Sequence, residues 1–410
     1  MLRRNRNLAL VVFARFISRF GGAAVWFIGV WGTAAYVFGA TPSQLAAMSF
    51  GNGMAAIVGS LSAGVLIDRF GPRKVMIWSE VFSIPPLVAM LFVDSFIPFV
   101  ACAMLYTLFG VPTWTAGASF APYIVEGAKP LERANSYIEG GAALGFVLGP
   151  AVAAVLSDSV GLTSVFVLTA AACAAAGVAV WFTRIDETPR AHVSGNAWTE
   201  FTSGLRLAYT SRSLRFYIFM GTAVWFGFGA FSALEPLFYR DVVGVDVEWI
   251  GWMNTALGVG LISGAALLPR LSQKVISARG LASFAMLCGL GTAMYVASTD
   301  LRLIAVGAFM LGAFLGATEP LLRTLLHLDS PHEYVGRIVG TTQWHRSAGE
   351  LVPLAFVPML AATIGIQETL IGSGLVVAVI ALVGVALSAR IDRHRAASAV
   401  LLAEAAPETV

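Results

Sequence analysis

Stretches of twenty or more residues dominated by Leu, Val, Ile, Ala, Phe and Gly recur from one end of the chain to the other, separated by short polar segments. A hydrocarbon layer about 30 Å thick is crossed by roughly 20 residues of helix. Backbone groups there find no water and must bond within their own segment, which favours helices. The pattern therefore predicts an all-α protein embedded in lipid. Twelve spans are expected, at residues 8–38, 43–67, 74–94, 96–125, 133–157, 161–183, 214–240, 248–270, 277–298, 301–327, 335–363 and 367–388.

The longest polar segment runs from Arg184 to Ser213 and divides the chain into two six-span halves. The expected organisation is a bundle over 1–183, a linker over 184–213, a second bundle over 214–390 and a tail over 391–410. Within the linker Trp198, Phe201, Leu205 and Tyr209 fall at helical spacing. That fits either an amphipathic helix on the membrane surface or a solvated connector.

Composition agrees with lipid as the main solvent. Of 410 residues 58% are hydrophobic and only 12% charged, against about 25% charged in soluble domains. The net charge of +3 is small, but its placement is informative. With loops assigned alternately to two sides, 20 of the 26 Lys and Arg fall on the side of both termini. The positive-inside rule then makes the termini cytoplasmic. The first apolar stretch, after MLRRNRN, exceeds the 7 to 15 residue core of a cleaved signal peptide and reads as a retained span.

Cys102, Cys173 and Cys288 lie one each in separate spans with no CxxC spacing, so neither a disulfide framework nor a metal site is expected. No nucleotide-binding GxxxxGK[ST] occurs, nor HExxH, GxSxG or GxGD. No cofactor, catalytic group or nucleic-acid partner is expected. Gly141, Gly145 and Gly149, then Gly260 and Gly264, then Gly312 and Gly316, recur at four-residue spacing. Such spacing permits close helix contact.

The loop after the second span reads GVLIDRFGPRK, from Gly64 to Lys74. It resembles the GxLxDRxGRR signature of the major facilitator superfamily, with Pro72 and Arg73 interrupting the basic run. Pro269, Arg270 and Lys274 form a degenerate counterpart in the second half. The resemblance implies two pseudo-symmetric six-helix bundles, with Gly64, Asp68, Arg69, Gly71 and Arg73 as a conformational gate. In the fifth span Gly145, Gly149 and Pro150 match GxxxGP, the core of a motif associated with antiporters in that superfamily. Ser136, Ala153 and Ala154 stand where glycines are usual. Pro122–Pro150 and the SPHEYVGRI run from Ser330 to Ile338 resemble bacterial exporters of macrolides, siderophores and drugs. Where that branch often carries an acid in the first span, this chain has Gly22, after Ser18 and Gly21. Proton coupling through that position is not available.

An ionisable side chain at mid-membrane costs roughly 2.5 to 3.5 kcal/mol and needs a partner or a wet cavity. Nine such residues stand out: Arg15, Arg19, Glu139, Glu235, Glu319, Arg323, His345, Arg346 and Glu350. Arg15 and Arg19 share one helix face, and Arg15 and Glu139 lie at similar depths, about 9 to 10 Å in. They read either as anion-binding groups or as charges that neutralise each other for folding. Glu319 and Arg323, and Arg346 and Glu350, can pair within their helices. If the tenth and eleventh spans are neighbours, Glu319 also meets Arg346, in a charge cluster that takes in Arg323 and His345. Glu235 has no basic residue near it in sequence except Arg240. Glu235, Glu319, Glu350 and Glu139 are the proton-site candidates. Arg19 and Arg15 with Trp26, Trp114 and Trp225 are the substrate-site candidates, although lipid contact explains any single tryptophan equally well.

The expected function is secondary active export of a small amphipathic molecule by alternating access. Protons are the expected driving ion, and the expected setting is a monomer in the bacterial cytoplasmic membrane. A proton-independent facilitator or lysolipid flippase is the alternative, with a membrane-embedded enzyme or a transport-dead receptor more distant.

Overall fold

A computed structural model describes residues 5–185, 197–331 and 334–404. The MLRR start, the middle of the linker, His332 and Glu333 of SPHEYVGRI, and the last six residues lie outside the described residues. The rest is helical: α1 (Arg6–Ala24), α2 (Pro42–Phe70), α3 (Pro72–Ala89), α4 (Phe96–Ala118), α5 (Ala128–Ser159), α6 (Thr163–Trp181), α7 (Ala197–Thr210), α8 (Arg212–Leu237), α9 (Glu248–Leu267), α10 (Ala278–Val296), α11 (Leu301–Asp329), α12 (Val335–Leu351), α13 (Val357–Ile364) and α14 (Ile366–Glu404).

Ten of the continuous helical stretches are long and apolar enough to cross a membrane, and eleven if α12 and α13 count as one bent span. The expected third span is α3, 18 residues that include Arg73, Lys74 and Glu80. Large apolar side chains such as Phe92 (77% exposed) and Ile97 (80%) stand exposed on the surface.

Several boundaries depart from the hydropathy pattern for identifiable reasons. The first span is α-helical to Ala24, then widens into π turns over Val25–Val30 and Thr33–Val37. The fourth stops at Ala118 rather than 125, because the chain enters a short 3-10 turn over Ala121–Tyr123 containing Pro122. The eleventh is not one helix. Pro353 and Pro358 remove backbone donors there, and the helix breaks with a 43° bend. The twelfth runs on past 388 to Glu404.

Helix starts follow local chemistry. Leu8 N–H donates to Asn5 Oδ1 at the start of α1. Thr41 and Gln44 form a reciprocal capping box ahead of Pro42. Asp300 accepts from the Arg302 N–H to open α11. Between α2 and α3 the chain turns at Gly71, whose φ of +83° disfavours any side chain.

The contacts define two compact units, one comprising Met1–Val193 with Leu234–Gly258 and the other Ser194–Ala233 with Val259–Val410. In the first, α1 packs on α5 and α6, α3 on α4 and α6, and α2 on α4. Its core includes Leu8, Val11, Met76, Phe120, Ile138 and Val180. In the second, α10 packs against α11 and α14, and α7 against α12. Leu214, Tyr217, Leu281, Leu321, Leu325 and Ile338 form its core. The linker sequence therefore does form a helix, and Ala208 near its end is buried in that core.

Candidate functional site

In the first unit α1 is held against α5 by absent side chains. A Cβ at Gly145 would collide with the carbonyl oxygen of Phe16, one at Gly149 with that of Phe20, and one at Gly141 would lie 3.0 Å from the Val12 carbonyl oxygen. The GxxxGP glycines thus face α1. Pro150 continues the same helix, and its carbonyl oxygen is close to Gly251.

This close approach positions the charged side chains of α1. Arg15 is 5% exposed. Its Nη2 lies 3.4 Å from Glu139 Oε1 on α5, and its Nη1 donates to the Trp114 carbonyl at 3.3 Å. Its stem passes over Gly117, where any Cβ would overlap the guanidinium side chain. The pair is asymmetric: the Arg15 side chain is 6% exposed and that of Glu139 61%. Arg19, one turn on, is seated on aromatic faces, 4.7 Å from the Trp114 ring centroid and 5.3 Å from that of Phe146. No carboxylate forms an ion pair with it among the described residues. Trp26 is placed elsewhere on α1's continuation, edge-on to Trp31 at 5.7 Å.

A tenth ionisable group belongs to this set and was not among the nine. Glu80 on α3 is 3% exposed. Ser18 of α1, Thr113 of α4 and Cys173 of α6 surround its carboxyl group, and Arg15 acts on it electrostatically. Its Oε1 is buried without a hydrogen-bond partner. The sequence signal was available, a lone acid in the apolar run VMIWSEVFSIPP. At Gly22, beside this group, a Cβ would stand 3.7 Å from the Tyr106 hydroxyl.

The residues of the GVLIDRFGPRK loop have mixed roles. Asp68 and Arg69 lie exposed in the last turn of α2, and Arg69 sits 5.2 Å from the Phe70 ring centroid. Arg73 reaches the end of α6, where Nε donates to the Val180 carbonyl (3.3 Å) and Nη2 to that of Trp181 (2.6 Å). The Val180 carbonyl also accepts from the Thr183 N–H and Oγ1, so Arg73 adds to a helix end that is already partly capped and is the donor to the Trp181 carbonyl. Gly64 faces open space.

In the second unit the acid and base of neighbouring helices meet. Arg346 Nη1 on α12 donates to Glu319 Oε2 on α11 at 2.7 Å, and the Trp225 indole N–H of α8 donates to Glu319 Oε1 at 3.2 Å. The Arg346 guanidinium also lies 4.4 Å from the Trp225 ring centroid. The pairs expected within single helices are not among the ion pairs of the described residues. Arg323 is exposed, and both it and Glu350 act on Arg346 electrostatically. His345 belongs to a different contact: Nε2 is 2.7 Å from the Tyr209 hydroxyl of α7.

Glu235 requires a correction. It is partnered, accepting from Asn254 Nδ2 at 3.2 Å. Arg240 instead bonds Asp241 and the carbonyls of Ala35 and Ala40. The partner of Glu235 is an uncharged amide 19 residues away on α9.

The family model described as Major Facilitator Superfamily matches residues 11–352. The chain belongs to the major facilitator superfamily. It is a multi-pass membrane transporter of a bacterial transporter family, not an enzyme, and its substrate is a small molecule. It is 24% identical over 401 residues to the multidrug efflux pump Tap of Mycolicibacterium fortuitum, covering 93% of this chain and 95% of that protein. Over 297 residues it is 26% identical to the multidrug resistance protein MdtG of Yersinia enterocolitica, covering 70% and 69%. Among solved structures, a POT family transporter in complex with 5-aminolevulinic acid superposes with a TM-score of 0.77 at 12% identity, covering 94% of this chain and 97% of that one. The nucleoside transporter NupG gives 0.75 at 10%, covering 93% and 99%. At these identities the superpositions speak to the fold alone.

Proposed function

We propose that the protein is a proton-coupled exporter of small amphipathic molecules, working by alternating access of two six-helix bundles. The bundles occupy 1–183 and 214–390, and the chain sits in the bacterial cytoplasmic membrane with both termini inside. Export is favoured by the relatives named as efflux pumps and by Gly145, Gly149 and Pro150 of the antiporter motif.

The observation that carries the coupling is the buried Glu80 carboxyl with an unpartnered oxygen beside an arginine that already has a second acid. The groups facing it are Arg15 from α1, Tyr106 from α4 and Cys173 from α6, with Glu139 of α5 reaching it through Arg15. When Glu80 is charged it competes with Glu139 for Arg15. When it is protonated the competition ends and Arg15 belongs to Glu139. Proton gain and loss at one carboxyl thus shift a helix-to-helix contact between α1 and α5. The hydrogen-bonding groups around Glu80 are neutral, Ser18, Thr113 and Cys173, whereas Glu319 is held by the Arg346 guanidinium and its protonation would first have to break an ion pair. Arg19, cushioned on Trp114 and Phe146, offers a planar fork of donors with apolar surroundings and is proposed to take an acidic group of the substrate.

The test is dye transport in proteoliposomes with and without an imposed pH gradient, using an anionic and a cationic amphipathic dye. Wild type should move dye faster with the gradient. Glu80→Gln should keep exchange of dye for dye but lose the response to pH, and Arg19→Ala should weaken anionic dye transport selectively. Equal gradient responses in wild type and Glu80→Gln would remove the coupling site. A proton-independent facilitator or flippase is the second reading, favoured by the missing acid at Gly22. It predicts no gradient response even in wild type.

A further inference from the structure

The second unit contains a cavity of about 530 Å³ that the transport reading does not use. Its wall is formed by Arg212, Arg215, Phe216 and Phe219 of α8 together with Leu387 and Arg390 of α14. All three arginines are exposed, and among the described residues no Asp or Glu lines the cavity. One Arg215 donor is occupied weakly by the Tyr209 carbonyl at 3.5 Å. One side of the cavity is closed by the Tyr209–His345 hydrogen bond, 2.7 Å long, which ties α7 to α12.

Location gives this combination its meaning. Arg212 begins the candidate span Arg212–Val243 and Arg390 lies near the end of Ile366–Arg393, so the guanidinium groups stand where the hydrocarbon layer meets water. Phe219 and Leu387, 57% and 48% exposed, are the apolar part of the wall. Three cations with no acid at one end and an apolar wall at the other complement a molecule with an anionic head and a hydrocarbon tail.

The geometry points to a binding site for an anionic phospholipid. Its phosphate is bound by Arg212, Arg215 and Arg390, and an acyl chain lies along Phe219 and Leu387. Guanidinium forks match phosphate oxygens two at a time, and basic pockets at helix ends are suited to such headgroups. A free phosphate shares the headgroup chemistry but gains nothing from the apolar wall, which is the reason for choosing the lipid.

The experiment is native mass spectrometry of the purified full chain, titrated with phosphatidylglycerol or phosphatidylcholine and, separately, with inorganic phosphate as competitor. It reads binding alone, so it fails or succeeds independently of the exporter reading. Each cation near an anionic surface contributes roughly a fivefold factor. The Arg212→Gln, Arg215→Gln, Arg390→Gln triple variant should therefore bind phosphatidylglycerol about a hundredfold more weakly while its binding of phosphatidylcholine stays at the wild-type level. Leu387→Gln, a milder surface change, should weaken phosphatidylglycerol binding with all three arginines in place. Equal retention of phosphatidylglycerol by wild type and triple variant would overturn the site. Equal retention of the two lipids by wild type would do so too. Displacement of the lipid by inorganic phosphate, with Leu387→Gln unaffected, would make it a site for free anions and overturn the lipid assignment.

Discussion

Removing Arg15 should destabilise the first unit through Glu80 rather than through Glu139, although only Glu139 is its direct ion-pair partner. The geometry sets the two acids apart. Glu139 meets Arg15 at 3.4 Å with its side chain 61% exposed, and an ion pair with one member so open contributes only about 0 to 1 kcal/mol. Glu80 is 3% exposed, with an oxygen that has no donor. Arg15 acts on Glu80 through its field and not through an ion pair, an interaction of roughly 2 kcal/mol at an effective dielectric of about 20. Arg15→Ala should therefore lose about 2 to 3 kcal/mol, including about 1 kcal/mol for the hydrogen bond to the Trp114 carbonyl. Glu139→Gln alone should lose under about 1 kcal/mol.

Double variants separate the contributions. Glu80→Gln added to Arg15→Ala removes the uncompensated charge and should recover about half of the loss or more. Glu139→Gln added to Arg15→Ala should recover little, because water already solvates that carboxylate. Sequence alone suggests the opposite assignment, with Glu139 as the rescuing position. The assay is thermal unfolding of the detergent-purified protein, followed by the fraction that elutes monodisperse after heating. Equal rescue by the two Gln substitutions, or losses in Arg15→Ala with Glu80→Gln that simply add, would refute this account.

Asp68→Asn should impair transport without lowering membrane insertion or melting temperature, since the exposed carboxylate has no ion-pair partner among the described residues, whereas Arg73→Ala should lower the melting temperature because it uncaps the end of α6. If both variants lose transport with unchanged stability, Arg73 works in the gate and not as a cap. Gly145→Leu should prevent recovery of folded protein by forcing α1 off α5, while Gly64→Ala, facing open space, should be recovered at wild-type yield. Equal yields would show that the glycine-mediated contact does not hold the bundle.

What was legible in the sequence follows from which forces act along the chain and which act across it. Bilayer thickness acts along the chain, so helix number and approximate position could be read from hydropathy. Proline breaks act locally, but Pro353 and Pro358 lie in a stretch that hydropathy alone joins into one span. Depth is also one-dimensional: counting residues from the span ends brought Arg15 level with Glu139 and Glu319 level with Arg346, and both pairs meet. Partners identified by polarity rather than charge were missed. Asn254 satisfies Glu235, Trp225 shares Glu319, and Trp114 with Phe146 supports Arg19. Amide and aromatic side chains thus help to satisfy these charged groups.

Glu80 exposes the complementary error. Eight residues beyond Pro72 at 1.5 Å each, it lies only about 12 Å into its helix, a depth at which a carboxylate can often reach water. Here it cannot, because α4 and α6 both pack on α3 and Gly177 brings the α6 backbone up to the Glu80 stem, with 3.7 Å between Cβ positions. Burial is therefore set by neighbouring helices and not by depth along one. Close approach of α1 to α5 places Arg15 against Glu139, and packing of α3 on α4 and α6 encloses Glu80 within electrostatic reach of Arg15. On the proposed mechanism, movement of α1 relative to either neighbour changes the environment of a buried carboxyl, and a proton gained there changes the field on the arginine that bonds α5.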